Sequence, residues 1–234
     1  MPKQKSKLSI IIPAYNEEKT ISQILNELKK TKFPIRKEIL IIDDFSKDKT
    51  KKNVSSYVKK NHNTKLFSHK RNLGKGAAIK TGIKNASGNI IAIQDADLEY
   101  SPADLSNLVT ALLEGNLPVV YGSRFLGGKK KGKTSFYLGN KFLSFITSIL
   151  FLTKITDMET CYKVFRKELL KDIKIESNSF NFEPEITSKL LKKGYKIKEM
   201  PIKYNPRTKE QGKKIKIKDG LIALRCLIKY RFSN

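Results

Sequence analysis

The chain of 234 residues predicts an α/β fold, a mostly parallel central sheet flanked by helices. Three observations carry this. Short apolar runs alternate with segments of helical periodicity over the first 120 residues, the pattern of parallel strands joined by right-handed crossovers. Two of the runs end on acidic side chains, at the position where open parallel sheets place their ligands. The length suits one large domain, able to bury roughly 70% of its unfolded surface.

Taken in order, residues 8–12 form a buried strand closed by Pro13. Residues 17–30 carry Ile21, Ile24, Leu25 and Leu28 at helical spacing. Residues 38–42 form a second strand ending on Asp43 and Asp44, and 47–60 a helix with a thin apolar face, which Ser46 and Asp48 can cap, Ser46 being the expected one. A third strand at 64–68 precedes a helix at 74–85 that opens on glycines. A strand at 90–94, a helix at 102–114 and a strand at 118–122 complete the regular half. Beyond it lie a glycine- and lysine-rich loop at 127–133 and an apolar helix at 142–152, too short for the ~20 residues a membrane span takes. A helix at 182–193, a strand at 197–204 and a last helix at 221–230 capped by Asp219 follow. With no repeat and no long linker, residues 1–234 read as a single domain, and neither a signal peptide nor a transmembrane segment is expected.

Two cysteines, Cys161 and Cys226, exclude a disulfide framework and a four-cysteine zinc site. The net charge is +26, with +9 in residues 1–120 and +17 in 121–234. Such an excess fits nucleic-acid binding, attraction to an anionic membrane, or a lysine-coated solvated surface. The absence of tryptophan and of a nucleic-acid-binding signature speaks against the first.

Four constellations carry chemistry. The loop Ile12-Pro-Ala-Tyr-Asn-Glu-Glu18 follows the first strand; Tyr15 offers a flat face for a base, or the segment is an ordinary turn into an acidic helix start. Asp43 and Asp44 end the second strand, where a carboxylate can accept from ribose hydroxyls. In Lys70-Arg-Asn-Leu-Gly-Lys-Gly76, glycines before a helix expose N–H groups as phosphate sites do, although the P-loop spacing is absent. Finally, Asp95, Asp97 and Glu99 stand at i, i+2, i+4 after four apolar residues. In an extended segment alternation puts all three on one side. They would repel one another without a cation, and hard oxygen ligands suit Mg²⁺ or Mn²⁺. The alternative is a solvated acidic turn.

In this order the constellations resemble the family 2 glycosyltransferases of the GT-A fold. Within them the chain is similar to the polyprenyl-phosphate hexose synthases that make dolichol-phosphate mannose and glucose. Further matches run through Tyr121-Gly-Ser-Arg-Phe125, Thr156-Asp-Met-Glu-Thr-Cys-Tyr-Lys-Val-Phe-Arg166, Phe180-Asn-Phe-Glu-Pro-Glu-Ile186 and Pro201-Ile-Lys-Tyr-Asn-Pro-Arg207, covering residues 8–231. The resemblance implies that Pro13, Ala14, Tyr15, Glu17 and Asp43 bind base and ribose, with Phe45 replacing the glycine usual after the aspartates. It implies that Lys75, Asp95 and Ala96 meet the donor, that Asp97 and Glu99 ligate Mg²⁺ or Mn²⁺, and that Asp95, Asp97 and Arg124 are catalytic. Ser123, Arg124 and Lys133 would meet the acceptor phosphate, and Arg207 and Lys213 would close over phosphates. The implied reaction is inverting transfer of a hexose from GDP-mannose or UDP-glucose to a polyprenyl phosphate. It would occur on the cytoplasmic face of a membrane, with helices 142–152 and 221–230 in the anionic interface or a partner protein as anchor. A family 2 enzyme acting on a hydroxyl would instead need a base, for which Glu185 and Asp157 are the candidates. A basic nucleic-acid-binding protein is the reading from another class.

Overall fold

The computed structural model describes residues 6–127, 134–207 and 217–233; Lys133 and Lys213, both expected at phosphates, lie outside the described residues. The regular half follows the predicted order: β1 (Lys7–Ala14), α1 (Ile21–Lys30), β2 (Arg36–Asp43), α2 (Thr50–Val58), β3 (Thr64–Ser68), α3 (Lys75–Asn85), β4 (Ile90–Ile93), α4 (Pro102–Glu114) and β5 (Val119–Ser123). Then come α5 (Thr134–Leu150), β6 (Lys163–Arg166), a 3₁₀ turn at Lys167–Leu170, α6 (Phe182–Lys192), β7 (Ile197–Pro201) and α7 (Ile217–Phe232). One sheet has the order β3-β2-β1-β4-β6-β5-β7.

β1 pairs in parallel with β2 and β4, and β2 with β3. β6 is antiparallel to both β4 and β5, and β7 is parallel to β5. All strands but β6 therefore point the same way, and their carboxyl ends share one edge with the amino end of β6. That edge brings together Ala14, Asp43, the residues after Ile93, Ser123 and the segment before Lys163. β6 was hidden in the sequence because its four residues, Lys-Val-Phe-Arg, show neither an apolar run nor a turn signal.

The strands of the first half are apolar on both faces because helices cover both sides, and Ile10, Ile11, Ile12, Leu40, Ile41, Ile90 and Ile91 are fully buried. A second, smaller core of Leu143, Ile155, Met158, Ala223 and Leu227 joins α5 to α7. Both helices thus bury one side in the protein and leave Phe142, Phe145, Ile149, Leu221, Ile228 and Phe232 exposed on the other. α5 extends to 17 residues; its Ser144, Thr147 and Ser148 hydroxyls bond back to carbonyls four residues earlier, which reconciles them with an apolar helix.

Two expected caps are corrected. α2 begins at Thr50 after Lys49; Asp48 Oδ1 accepts the Thr50 N–H at 2.9 Å, whereas Ser46 Oγ accepts the Asn16 N–H at 3.0 Å and ties the two ligand-edge loops together. α7 begins at Ile217, so Asp219 lies in its first turn rather than at its cap.

At the opposite edge Glu38 fastens β2 to β1 and to the start of β4. Its Oε1 accepts from Ser9 Oγ (2.6 Å), Ser87 N (2.7 Å) and Ser87 Oγ (2.8 Å). Burial raises the pKa of this carboxyl, but the hydrogen bonds from Ser9 and Ser87 and the charge of Lys7 outweigh it and hold the pKa at about 2, against 4.5. A carboxyl lowered by folding contributes stability above its unfolded pKa that is lost as pH falls through the folded value. Glu38→Gln should therefore destabilise the protein at pH 7, and the gap from wild type should close between pH 4.5 and 2. Urea denaturation at several pH values measures it.

Candidate active site

A cavity of about 1210 Å³ opens along the ligand edge. The loop after β1 forms one side, with Pro13, Ala14, Tyr15 and Glu17 in its lining. Glu17 is held by its own N–H on Thr50 Oγ1 at 2.8 Å. Of the two aspartates ending β2, Asp44 lines the cavity and Asp43 does not; Asp43 is buried and accepts the Ser46 N–H at 3.3 Å. Asp44 accepts from Leu73 N and Gly74 N, both at 2.8 Å, and contacts His69 Nδ1 at 2.7 Å. Phe45, between them and Ser46, adopts φ 66°, the left-handed region in which glycine is at ease. The turn thus keeps a glycine conformation despite its side chain, over which Lys47 Nζ sits 3.6 Å from the ring centre.

The Gly-Lys-Gly segment works differently from a phosphate loop. The Gly74 N–H is committed to Asp44, and the Ala77 N–H just after the segment to Asn178 O at 3.1 Å. The glycines serve close packing, since a Cβ on Gly74 would meet Asn178 O at 2.3 Å and one on Gly76 would meet Ser177 O at 2.5 Å. This packing aims Lys75 into the cavity, with Nζ 3.0 Å from Asp95 Oδ1 and 2.8 Å from Glu183 Oε1. Burial disfavours its charge, but Asp95 and Glu183 outweigh that and raise its pKa well above 10.5. Because Gly74 also has φ +97°, Gly74→Ala should cost about 1–3 kcal/mol and displace Lys75. Thermal unfolding measures the cost, and a structure of the variant shows the displacement.

The acidic triplet is gathered by bends rather than by the extended segment expected. β4 ends at Ile93, and residues 96–99 turn, with the Glu99 N–H donated to Asp97 Oδ1 at 3.0 Å. All three carboxylates still line the cavity. Arg207 lies among them: NH2 is 2.8 Å from Asp97 Oδ2, NH1 2.9 Å from Glu17 Oε2, and its backbone N–H reaches Glu99 Oε1 at 2.9 Å. Asp95 is held low because Lys75 outweighs its burial, whereas burial and the charge of Asp95 push Asp97 up to about 7 despite Arg207. No group of three metal-ligating side chains occurs among the described residues. The hard oxygens of Asp97 and Glu99 nevertheless fit Mg²⁺ or Mn²⁺, which is commonly held by one or two carboxylates plus phosphate oxygens.

After β5, Ser123 is buried with its Oγ 2.7 Å from Thr156 Oγ1. Arg124 lines the cavity and makes a fork on Asp157, Nε to Oδ2 at 2.7 Å and NH2 to Oδ1 at 2.6 Å. Asp157 is fully buried and also accepts the Arg124 N–H at 2.9 Å. The cavity then continues past Phe125 between Phe142 and Leu143 of α5 and Leu221 and Leu224 of α7, an apolar trough.

The family model described as glycosyl transferase family 2 matches residues 9–174. The chain belongs to glycosyl transferase family 2. A dolichyl-phosphate beta-glucosyltransferase of Trichomonas vaginalis is 33% identical over 93% of this chain and 70% of its own length. A dolichol-phosphate mannosyltransferase of Pyrococcus furiosus is 28% identical over 88% of this chain, which spans 59% of that relative. Among solved structures, glucosyl-3-phosphoglycerate synthase of Mycobacterium tuberculosis, crystallised with Mn²⁺, UDP and glucosyl-3-phosphoglycerate, has a TM-score of 0.72, 16% identity and coverage of 97% of this chain and 80% of its own. That likeness is one of fold, and the fold is GT-A.

In this family 2 transferase both carboxylates expected as candidate bases are engaged by protein groups. Asp157 spends its oxygens on Arg124. Glu185 is fully buried, is not in the cavity lining, and accepts from Glu176 N, Ser177 N and Lys189 Nζ. Sequence reading gave no role to Glu183, Glu159 or Cys161, which line the cavity. All three stand inside the strings Thr156–Arg166 and Phe180–Ile186, so a signal was present without a geometry to interpret it.

Proposed function

We propose that this family 2 transferase moves a hexose, mannose or glucose, with inversion from GDP-mannose or UDP-glucose to a polyprenyl phosphate, for glycan or glycoprotein assembly. The observation that carries this is the continuity of the cavity, from the carboxylates around Asp97, past Arg124, into the apolar trough between α5 and α7. A nucleotide diphosphate suits the first part, an anion the second and an isoprenoid chain the third. Residues 1–120 then serve the donor and 121–234 the acceptor, with Arg207 returning from the second half to the donor's carboxylates.

Asp97 and Glu99 would hold Mg²⁺ or Mn²⁺, which supplies Lewis-acid stabilisation of the departing diphosphate. Arg207 reaches the same carboxylates and adds positive charge beside the leaving group. Tyr15, Pro13 and Ala14 flank the base; Lys75 and Asp95 fix the sugar. Arg124, locked in orientation by Asp157, aims the acceptor phosphate and offsets its repulsion from the donor. A phosphate is already an anion at neutral pH, so the reaction requires no carboxylate base, in keeping with the engagement of Asp157 and Glu185.

Among the described residues no helix is long and apolar enough to cross a membrane. The exposed Phe142, Phe145 and Ile149 of α5 and Leu221, Ile228 and Phe232 of α7, of which Phe142 and Leu221 line the trough, would rest in the interface of an anionic cytoplasmic leaflet, directly or beside an anchoring protein. Flotation with anionic vesicles should recover the protein, and Phe142→Asp/Phe145→Asp should lower the bound fraction at least about tenfold. For the activity itself, incubation with labelled GDP-mannose or UDP-glucose, Mn²⁺ and polyprenyl phosphate should give label that partitions into organic solvent. No such label with either donor would count against the proposal.

A further inference from the structure

Part of the cavity wall is made by groups that neither diphosphate nor acceptor chemistry employs. Glu183, at the start of α6, has a side chain 5% exposed. Its Oε1 meets Lys75, while Oε2 is buried with no hydrogen-bond partner among the described residues. Glu159 Oε1 is in the same condition, and both residues line the cavity alongside Asp95. A buried carboxylate oxygen without a donor is costly, so a ligand that donates O–H groups to it gains strongly.

Lys75 links this wall to the reacting region, because one ammonium contacts Asp95 on one side and Glu183 on the other. Asp95 adjoins Asp97, which faces the diphosphate in the reading above. The wall therefore stands where the ring attached to that diphosphate would lie. Its Lys75 ammonium is engaged by Asp95 and Glu183 together, and the buried Lys163 behind Glu183 and Glu159 is absent from the cavity lining and donates to Met158 O and Thr160 O, so among the described residues the wall presents no uncommitted cation. Burial and the charge of Glu183 push the Glu159 carboxyl up to about 8, which leaves it at neutral pH as both hydrogen-bond donor and acceptor.

We infer that Glu183, bridged by Lys75 to Asp95 and backed by Glu159, is a specificity-determining residue that accepts hydroxyls of a neutral hexose and rejects donors whose sugar bears a carboxylate. This rests on the assignment of the cavity to a nucleotide sugar. A uronate would bring a like charge into a desolvated wall whose cations are already paired or turned to backbone carbonyls, whereas a hexose hydroxyl meets an open acceptor.

Calorimetry in the presence of Mn²⁺ tests it with UDP, UDP-glucose and UDP-glucuronate, and in a second arm with GDP, GDP-mannose and GDP-mannuronate. In the arm whose nucleotide binds, the hexose donor should bind at least about tenfold more tightly than its uronate counterpart. Glu183→Gln should weaken the hexose donor about 10- to 100-fold, bring the uronate to within a few-fold of it, and leave the bare nucleotide diphosphate unchanged. Glu183→Asp, which keeps the charge, should retain the rejection of the uronate. Equal wild-type affinity for hexose and uronate overturns the inference, as does a Glu183→Gln protein that loses the bare nucleotide to the same degree. Discrimination of this kind without any lipid-soluble product would overturn the acceptor assignment and leave the inference standing; binding of no nucleotide sugar would overturn both.

Discussion

Replacing Asp97 with asparagine should lower kcat/KM for transfer by about 10³-fold, because in the proposed mechanism it removes the firmest ligand of the cation that would offset charge on the leaving diphosphate, an effect of several kcal/mol. The variant should fold as well as wild type or better. Burial and Asp95 push the Asp97 carboxyl up to about 7 from 3.8. A carboxyl raised by folding is stabilising only while protonated: its contribution is fully present below pH 3.8 and is lost as pH rises towards about 7. At neutral pH the ionised side chain is therefore held at a cost, which an amide does not carry. Parallel measurement of Tm, Mn²⁺ affinity and turnover separates the two effects. Lower stability together with intact Mn²⁺ affinity would contradict the assignment.

Arg124→Ala should have the other large effect, on stability as well as activity. It leaves the fully buried Asp157 without the guanidinium that now pairs with both of its oxygens. Breaking one side of a buried pair typically costs about 3–5 kcal/mol. The double variant Arg124→Ala/Asp157→Asn should recover much of that stability but none of the transfer, since the acceptor phosphate would still lack its cation. Denaturant unfolding gives the first quantity and a lipid-extraction assay the second. Recovery of transfer by the double variant would show that Arg124 acts only through the fold.

The parallel half of the fold was legible because its signals are local. Isoleucine runs such as Ile10–Ile12 and Ile39–Ile42 mark strands buried on both faces, and Ile21, Ile24, Leu25 and Leu28 mark a helix in four residues. The acidic triplet was also legible as a group, although its side chains converge through bends rather than by strand alternation. What could not be read depends on contacts distant in sequence. The Gly-Lys-Gly glycines look like a phosphate loop until the backbone at 177–179, a hundred residues away, is packed against them. Ser46 looks like a helix cap until Asn16 donates to it. β6 becomes a strand because β4 and β5 flank it, and Glu183 acquires a role only when Lys75 bridges it to Asp95. Engagement of Asp157 and Glu185 likewise follows from partners that spacing alone does not supply.

The central claim is that the acceptor is an anion guided by Arg124 and needs no general base. Polyprenyl phosphate and the corresponding polyprenol, offered at equal concentration with the preferred donor and Mn²⁺, test it most directly. Transfer to the phosphate alone is the expected result. Transfer to the free alcohol at a comparable rate would contradict the account.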